Sequence, residues 1–225
     1  MTWIEETAAR YAPHMYFDRN EPFFPAGIGY TVLTESGRSP SFDRNIEFYE
    51  EGTAFVVEYA VYWDYDIEHL YDLEHVWVHV DGAGEVTECE GSFHGDYLRC
   101  LRRDRSNIED GTHAAVYSQP GKHAFLPSAE TMDLLPRLHL TAPCWELAGS
   151  GGVLVPGFLA GEVPEGERQH ELVRRYVPRF RFRPSMEFRR FAPPEGLLMP
   201  WEALLRMIPG RMNAELALME SQVKL

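Results

Sequence analysis

The most informative absence in this sequence is positive charge, both overall and in one long segment. The chain of 225 residues has 21 Lys and Arg against 35 Asp and Glu, so its formal net charge at pH 7 is -14. Phosphate backbones and anionic lipid surfaces repel such a protein, so we expect no nucleic-acid partner and no electrostatic docking on membranes. Residues 45–98 contain no Lys or Arg at all, and their carboxylates therefore have no cationic neighbour in the local sequence.

Cysteines, long apolar runs and a leader sequence are also scarce or missing. The three cysteines form no CxxC pair and cannot make a disulfide framework. No run approaches the roughly 18 apolar residues of a membrane span. Residues 1–13 lack the basic region and apolar stretch of a signal peptide. We therefore expect a soluble cytoplasmic protein without a transmembrane segment.

The apolar residues that are present alternate in short segments and predict strands. Residues 54–63 show the clearest alternation, and the loop Asp81-Gly-Ala-Gly84 is typical of a hairpin. Strands are predicted at residues 54–63, 74–80, 85–90 and 113–118, with further candidates at 176–183 and 186–191.

Both ends of the chain have helical signals. Thr2 and Glu5 have the spacing of a capping box. Apolar residues at helical spacing after position 200 predict two C-terminal helices, separated by Pro209 and Gly210. Because no repeat or composition break divides the chain, we predict one mainly β domain over residues 1–225, an antiparallel sheet with helices at its N- and C-terminal ends.

The stretch YDIEHLYDLEHVWVH, residues 65–79, gathers ionisable groups where a predicted loop meets a strand. Residues two apart in a strand share a face, so Asp72 and Glu74 are neighbours, and Glu74 is in phase with the apolar residues of the core face. A carboxylate there is costly without a partner, and crowded acids raise each other's pKa. A divalent cation would supply the missing charge, and Mg²⁺, Mn²⁺, Ca²⁺ or Zn²⁺ would suit oxygen ligands plus one imidazole. A solvated acidic loop without an ion is the alternative.

Four histidines need an interpretation beside these carboxylates. His75 and His79 alternate away from Glu74, and we expect them to be half-buried or surface residues rather than ligands. His94 and His123 fall in predicted loops, where a histidine can act as an acid, a base or an orienting group. The alternative for both is a structural role, with the imidazole hydrogen-bonded to the backbone.

The segment His69-Leu-Tyr-Asp72-Leu-Glu74-His75-Val resembles the central motif of the necrosis- and ethylene-inducing-like proteins, G-H-R-H-D-W-E followed by a strand. The His, Asp and Glu of that motif match His69, Asp72 and Glu74. The family has a further ligating Asp in an upstream loop, where this chain has Asp64 and Asp66. The other motif positions, Gly, Arg, the second His and Trp, are occupied by Glu68, Leu70, Tyr71 and Leu73.

A related fungal vacuolar-protein-sorting family is similar to further segments of the chain. Residues 11–25 resemble its opening, and residues 117–127 resemble a later Tyr-Ser…His-Ala…Pro segment. Ser92-Phe-His94-Gly95 falls where these families have a His-Gly pair. The resemblance thus covers residues 11–127. It implies a β-sandwich with peripheral helices and a divalent metal site formed by Asp66 or Asp64, His69, Asp72 and Glu74.

Three functions remain open at this stage. The main hypothesis is a metal-dependent, hydrolase-like enzyme for a small polar substrate, with His94 and His123 as catalytic or orienting groups. The alternative is a non-catalytic module in which the ion bridges to a sugar or lipid head group. A purely structural ion is the third. Neither the cysteines nor the serines have the motif of a nucleophile, so covalent catalysis is not expected.

Overall fold

The computed structural model describes residues 2–48 and 52–223, apart from the side chains at 137 and 138. The strands are β1 His14–Asp18, β2 Gly27–Leu33, β3 Gly37–Arg38, β4 Asn45–Ile46, β5 Thr53–Tyr65, β6 His69–Asp81, β7 Val86–Phe93, β8 Asp96–Arg99, β9 Ile108–Glu109, β10 His113–Ser118, β11 Phe125–Leu126, β12 Gly152–Val153, β13 Phe188–Arg190 and β14 Leu198–Pro200. The α-helices are α1 Trp3–Arg10, α2 Arg137–Leu140, α3 Glu167–Tyr176 and α4 Trp201–Gln222, and 3-10 helices span Ala129–Leu134, Gly157–Leu159 and Val177–Phe180.

The larger sheet is built around the long β5–β6 hairpin. Its order is β14-β2-β5-β6-β7-β8, with β12 added to the start of β6. In the hairpin register, Val61 lies opposite Glu74, Trp63 opposite Asp72 and Tyr65 opposite Leu70. The polar residues of the motif are thereby fixed on a hydrogen-bonded ladder rather than on a flexible loop.

The second sheet has the order β11-β10-β1-β13, with β9 beside β10. Its buried Phe17 and Phe125 contact Trp63 of the larger sheet, with ring centroids 6.2 and 6.3 Å apart. The two sheets share a core cluster that extends from Ala8 to Val223. The mainly β fold with N- and C-terminal helices is confirmed, but the pairing is mixed, because β1–β10, β12–β6 and β14–β2 are parallel. That residues 1–225 form a single domain stays a prediction.

The segment before Glu74 was expected to be a loop, but most of it belongs to a strand. Strand β6 begins at His69, so residues 66–68 alone connect it to β5. The Asp66 carboxylate accepts the backbone N–H groups of Glu68 and His69, the latter at 3.1 Å, and closes a tight turn. The sequence pattern missed this turn because polar residues occupy strand positions that face the site.

The helix predictions had different outcomes at the two ends. Thr2 and Glu5 form the expected capping box of α1. At the other end, the two predicted helices are one helix, α4, with Pro209 inside it. Proline removes one backbone hydrogen bond, and burial of the apolar face of α4 outweighs that loss.

The two late strand candidates also had different outcomes. A strand over 176–183 was wrong, because Tyr176 ends α3 and a 3-10 helix follows it. The candidate at 186–191 contains β13. No helix in the described part of the chain is both long and apolar enough to cross a membrane.

Candidate functional site

The acidic site lies at the turn between β5 and β6 and includes a lysine from a distant loop. The Lys122 ammonium contacts the Asp66 carboxylate and lies 2.8 Å from Glu68 Oε2. Its side chain is only 13% exposed. Burial lowers the pKa of Lys122, but the two carboxylates outweigh burial and raise it, so the amine is charged.

The local sequence around Asp66 does not reveal Lys122, because this lysine lies on a loop far along the chain. The loop that carries it is anchored, since Gly121 N–H donates to Glu21 Oε2 at 2.7 Å and Gln119 N–H to the carbonyl of Ala124 at 2.8 Å. One sequence signal was available. The chain has only two lysines, at 122 and 224, among 21 basic residues, so a lysine here is itself unusual.

His69 directs its Nε2 at Asp66. Its Nδ1–H donates to the carbonyl of Tyr71 at 2.8 Å. Nε2 lies 3.4 Å from Asp66 Oδ2. A backbone hydrogen bond at the other ring nitrogen is typical of metal-binding histidines.

Asp72 and His123 form a buried ion pair. His123 Nδ1–H donates to Asp72 Oδ2 at 2.8 Å, and Nε2 lies 3.5 Å from Glu21 Oε1. Burial lowers the pKa of His123, but Asp72 and Glu21 outweigh it and raise the pKa to about 10. Burial raises the pKa of Asp72, but the hydrogen bond from His123 and the positive charges around it together outweigh burial and lower the pKa.

The His123 ring is completely buried and stacks on Trp63, with centroids 4.4 Å apart and planes 4° apart. It therefore holds Asp72 in place from inside the core. A catalytic role for His123 stays a prediction.

Glu74 and His94 complete the rim of the site. Glu74 Oε2 accepts the hydroxyl of Ser92, and burial together with the charge of Asp72 raises the pKa of Glu74 to about 8. His94 is exposed, and its Nε2–H donates to Gln119 Oε1 at 2.8 Å. Burial of part of the ring lowers the pKa of His94, so it is neutral at pH 7.

Asp64 is not brought together with these residues. Arg211 of α4 donates to both of its carboxylate oxygens, at 2.8 and 2.5 Å, and Tyr62 O–H donates to it at 3.0 Å. Of the two upstream candidates, Asp66 is thus the one that lies beside His69.

His75 and His79 lie on the opposite face of the sheet from Glu74, as expected, but the expectation that they are half-buried or surface residues was wrong. Both are almost fully buried. His75 Nε2 lies 3.0 Å from Ser41 Oγ, and His79 Nε2 lies 3.2 Å from Glu90 Oε2. The segment around β3 and β4 covers this face, and such long-range covering cannot be seen in the alternation of a single strand.

The site has more negative than positive charge. Five carboxylates face two cations, Lys122 and His123, so three negative charges are uncompensated when all five acids are ionised. These acids are Glu21, Asp66, Glu68, Asp72 and Glu74. Burial and the charge of Asp72 both disfavour ionisation of Glu74.

The residues fit a divalent ion in chemistry but not in their present arrangement. Carboxylate oxygens and Nε2 of the His69 imidazole are suitable donor atoms. Within residues 2–48 and 52–223, however, no three His, Cys, Asp or Glu side chains form a group that could hold a metal ion. The reason is visible in the contacts, since Lys122 engages Asp66 and His123 engages Asp72.

Neither a scan against protein-family models nor a search of curated proteins gives a match. Solved structures of necrosis- and ethylene-inducing-like toxins have folds similar to part of this chain. "NLPPya in complex with glucosamine" has a TM-score of 0.38 and 19% identity, covering 56% of this chain and 67% of that one. "NLPPya in complex with mannosamine" has a TM-score of 0.37 with the same identity and coverage. "Toxin fold for microbial attack and plant defense" has a TM-score of 0.36 and 18% identity, covering 54% and 66%. This chain spans about two thirds of the length of these structures.

Proposed function

We propose that the acidic site binds a cationic or hydroxyl-rich small molecule of the sugar head-group class, without breaking a bond in it. The observation that carries this proposal is the excess of carboxylates over cations around Asp66 and Glu74. A ligand with an ammonium group or several hydroxyls offsets that excess and can donate to the carboxylate oxygens.

The proposal includes a divalent ion, Mg²⁺, Ca²⁺, Mn²⁺ or Zn²⁺. Asp66, His69, Asp72 and Glu74 would hold it, because they provide the oxygen donors and an imidazole nitrogen of the site. Such an ion would supply positive charge and open positions for ligand hydroxyls. The side chains of the chain itself set the orientation, with His123 fixing Asp72 and Ser92 fixing Glu74.

Binding is favoured over catalysis by the state of His123. Its ring exposes no surface, so neither of its nitrogens is open to a substrate in the solvent. Metal-assisted hydrolysis is the second candidate, and the exposed, neutral His94 is the observation in its favour. In that case, His94 would accept a proton from the attacking water.

Calorimetric titration of the full chain with glucosamine and with uncharged N-acetylglucosamine tests the proposal, each with and without 1 mM divalent chloride. We expect glucosamine to bind, and we expect His69→Ala to weaken binding of both the divalent ion and the sugar at least tenfold. Glu187→Gln, in an exposed ion pair with Arg19, is the matched control and should change neither. Absence of heat for every probe would refute the proposal.

The same samples distinguish the two candidates. Sugar NMR signals that stay unchanged over a day in the presence of the protein support a binding module. Conversion of the sugar or of its glycosides, lost on replacing His94 by Ala, supports the hydrolase instead.

A cytoplasmic location also remains a prediction. Cys89, Cys100 and Cys144 are free and buried, and buried free thiols persist in more than one compartment. Imaging of the full-length protein with a C-terminal fluorescent fusion would test the location.

A further inference from the structure

We infer that Lys122 is the resident cation of the acidic site and that a divalent ion enters only by displacing its ammonium group from Asp66. This inference rests on the proposed function, because it concerns how the same site exchanges its positive charge. It assigns a role to a residue that occupies no position of the sequence motif.

The first argument is competition for one oxygen atom. Asp66 Oδ1 is used by the backbone N–H groups of Glu68 and His69. Asp66 Oδ2 is the remaining acceptor, and it faces both the Lys122 ammonium and Nε2 of His69. An ion that takes Asp66 Oδ2 and His69 Nε2 as ligands therefore needs the position that Lys122 occupies.

The second argument is that the ammonium has an alternative carboxylate partner, Glu68. Lys122 also lies 2.8 Å from Glu68 Oε2, and the Glu68 side chain is 20% exposed. The backbone of the loop is held by Glu21 and by its own hydrogen bonds, so only the lysine side chain has to move. Pairing with Glu68 alone would keep the ammonium compensated at the edge of the site.

The third argument is the choice of residue. Lys122 is the sole lysine among the described residues, and every other basic residue there is an arginine or a histidine. An ammonium is a compact point charge on a flexible stem, whereas guanidinium is a planar group that makes two parallel bonds. Asp64, near the end of β5 and two residues before Asp66, is paired with Arg211 through two such bonds.

The experiment compares the wild type with Lys122→Met, which keeps the length of the stem and removes the charge. In chelator, we expect the variant to melt about 5 °C lower, because the carboxylates around Asp66 lose their cation. Addition of 1 mM Mg²⁺, Ca²⁺, Mn²⁺ or Zn²⁺, each tested separately, should restore at least half of that loss for one ion. The same ion should bind the variant at least tenfold more tightly than it binds the wild type in calorimetry, since no ammonium has to be displaced.

Arg211→Met is the matched control, because it removes the cation of the neighbouring ion pair outside the site. We expect it to lower the melting temperature without any recovery on addition of divalent ions. If Lys122→Met does not fold in chelator, Lys122→Gln, purified with the divalent ion and then titrated with chelator, provides the same comparison.

Three outcomes would overturn the inference: an unchanged melting temperature for Lys122→Met in chelator, a loss that no divalent ion restores, or equal ion affinity in the two proteins. Failure of the proposed function has a different signature. In that case, ions rescue Lys122→Met as expected, but neither sugar produces heat with the wild type.

Discussion

At the scale of single residues, the Glu74 carboxyl group of the site is held in its protonated form by its surroundings. Burial and the charge of Asp72 raise its pKa from 4.5 to about 8. The folded protein therefore keeps a proton that the unfolded chain releases, and stability falls as the pH rises through this interval. His123 adds a loss at higher pH, because its pKa is raised from 6.5 to about 10. The pKa of Asp72 is lowered, so its contribution to the stability of the fold is lost only under acidic conditions.

The residue-scale prediction uses a pH window in which the stability contribution of Glu74 changes and that of His123 does not. As the pH rises from 5 to 6.5 in chelator, we expect the unfolding free energy of the wild type to fall by on the order of 2 kcal/mol because of Glu74. Glu74→Gln mimics the protonated form and should lack this part of the decrease. Urea denaturation of both proteins at pH 5, 5.75 and 6.5 measures the difference, and parallel pH dependences would contradict the prediction.

At the scale of elements, the two sheets approach each other closely at Gly91 of β7. A Cβ atom added there would lie 2.7 Å from Phe125 Cβ and 2.9 Å from Cys100 Sγ. Phe125 belongs to β11, which follows the loop of Lys122 and His123. The missing side chain at position 91 therefore lets the second sheet come near enough for this loop to reach Asp66 and Asp72.

The element-scale prediction is that Gly91→Ala destabilises the protein by about 2 kcal/mol, because the added methyl group overpacks the contact between the sheets. Gly82→Ala is the control, since a Cβ there has no atom within 4 Å. Its unfolding free energy should change by less than about 0.5 kcal/mol. Guanidinium denaturation measures both, and equal stability of the two variants would show that the sheets have room to adjust.

At the scale of the whole molecule, the residues after 127 complete the sheet that carries the site. Strand β12 adds to β6 beside His69, and β14 adds to β2. Helix α4 packs on β2, where Gly29 leaves room for Trp201 and Leu204. The C-terminal part is therefore structural for the site, although no motif residue lies in it.

The whole-molecule prediction is that a fragment of residues 1–127 does not fold cooperatively, because the apolar surfaces of β2 and β6 lose their cover. We expect it to lack near-ultraviolet circular dichroism and a cooperative thermal transition that the full chain shows. A fragment with both properties would mean that the N-terminal half is a folding unit by itself.

The sequence by itself determined the features that depend on local periodicity. The alternation of residues 54–63 and 74–80 placed Glu74 on the core face and His75 on the other, as the structure shows. The capping box at Thr2 was likewise visible, since both of its partners lie within one helical turn. Within the motif, these rules also brought Asp72 and Glu74 to the same face of one strand.

The tertiary structure alone decided how the charges of the site are compensated. Lys122 and His123 reach Asp66 and Asp72 from a loop about fifty residues away in the chain. Arg211, 147 residues along the chain from Asp64, pairs with that carboxylate and so occupies it outside the site. Electrostatic interactions depend on distance in space, which a sequence pattern does not contain, so the pairing of Lys122 with Asp66 follows from packing and not from the motif.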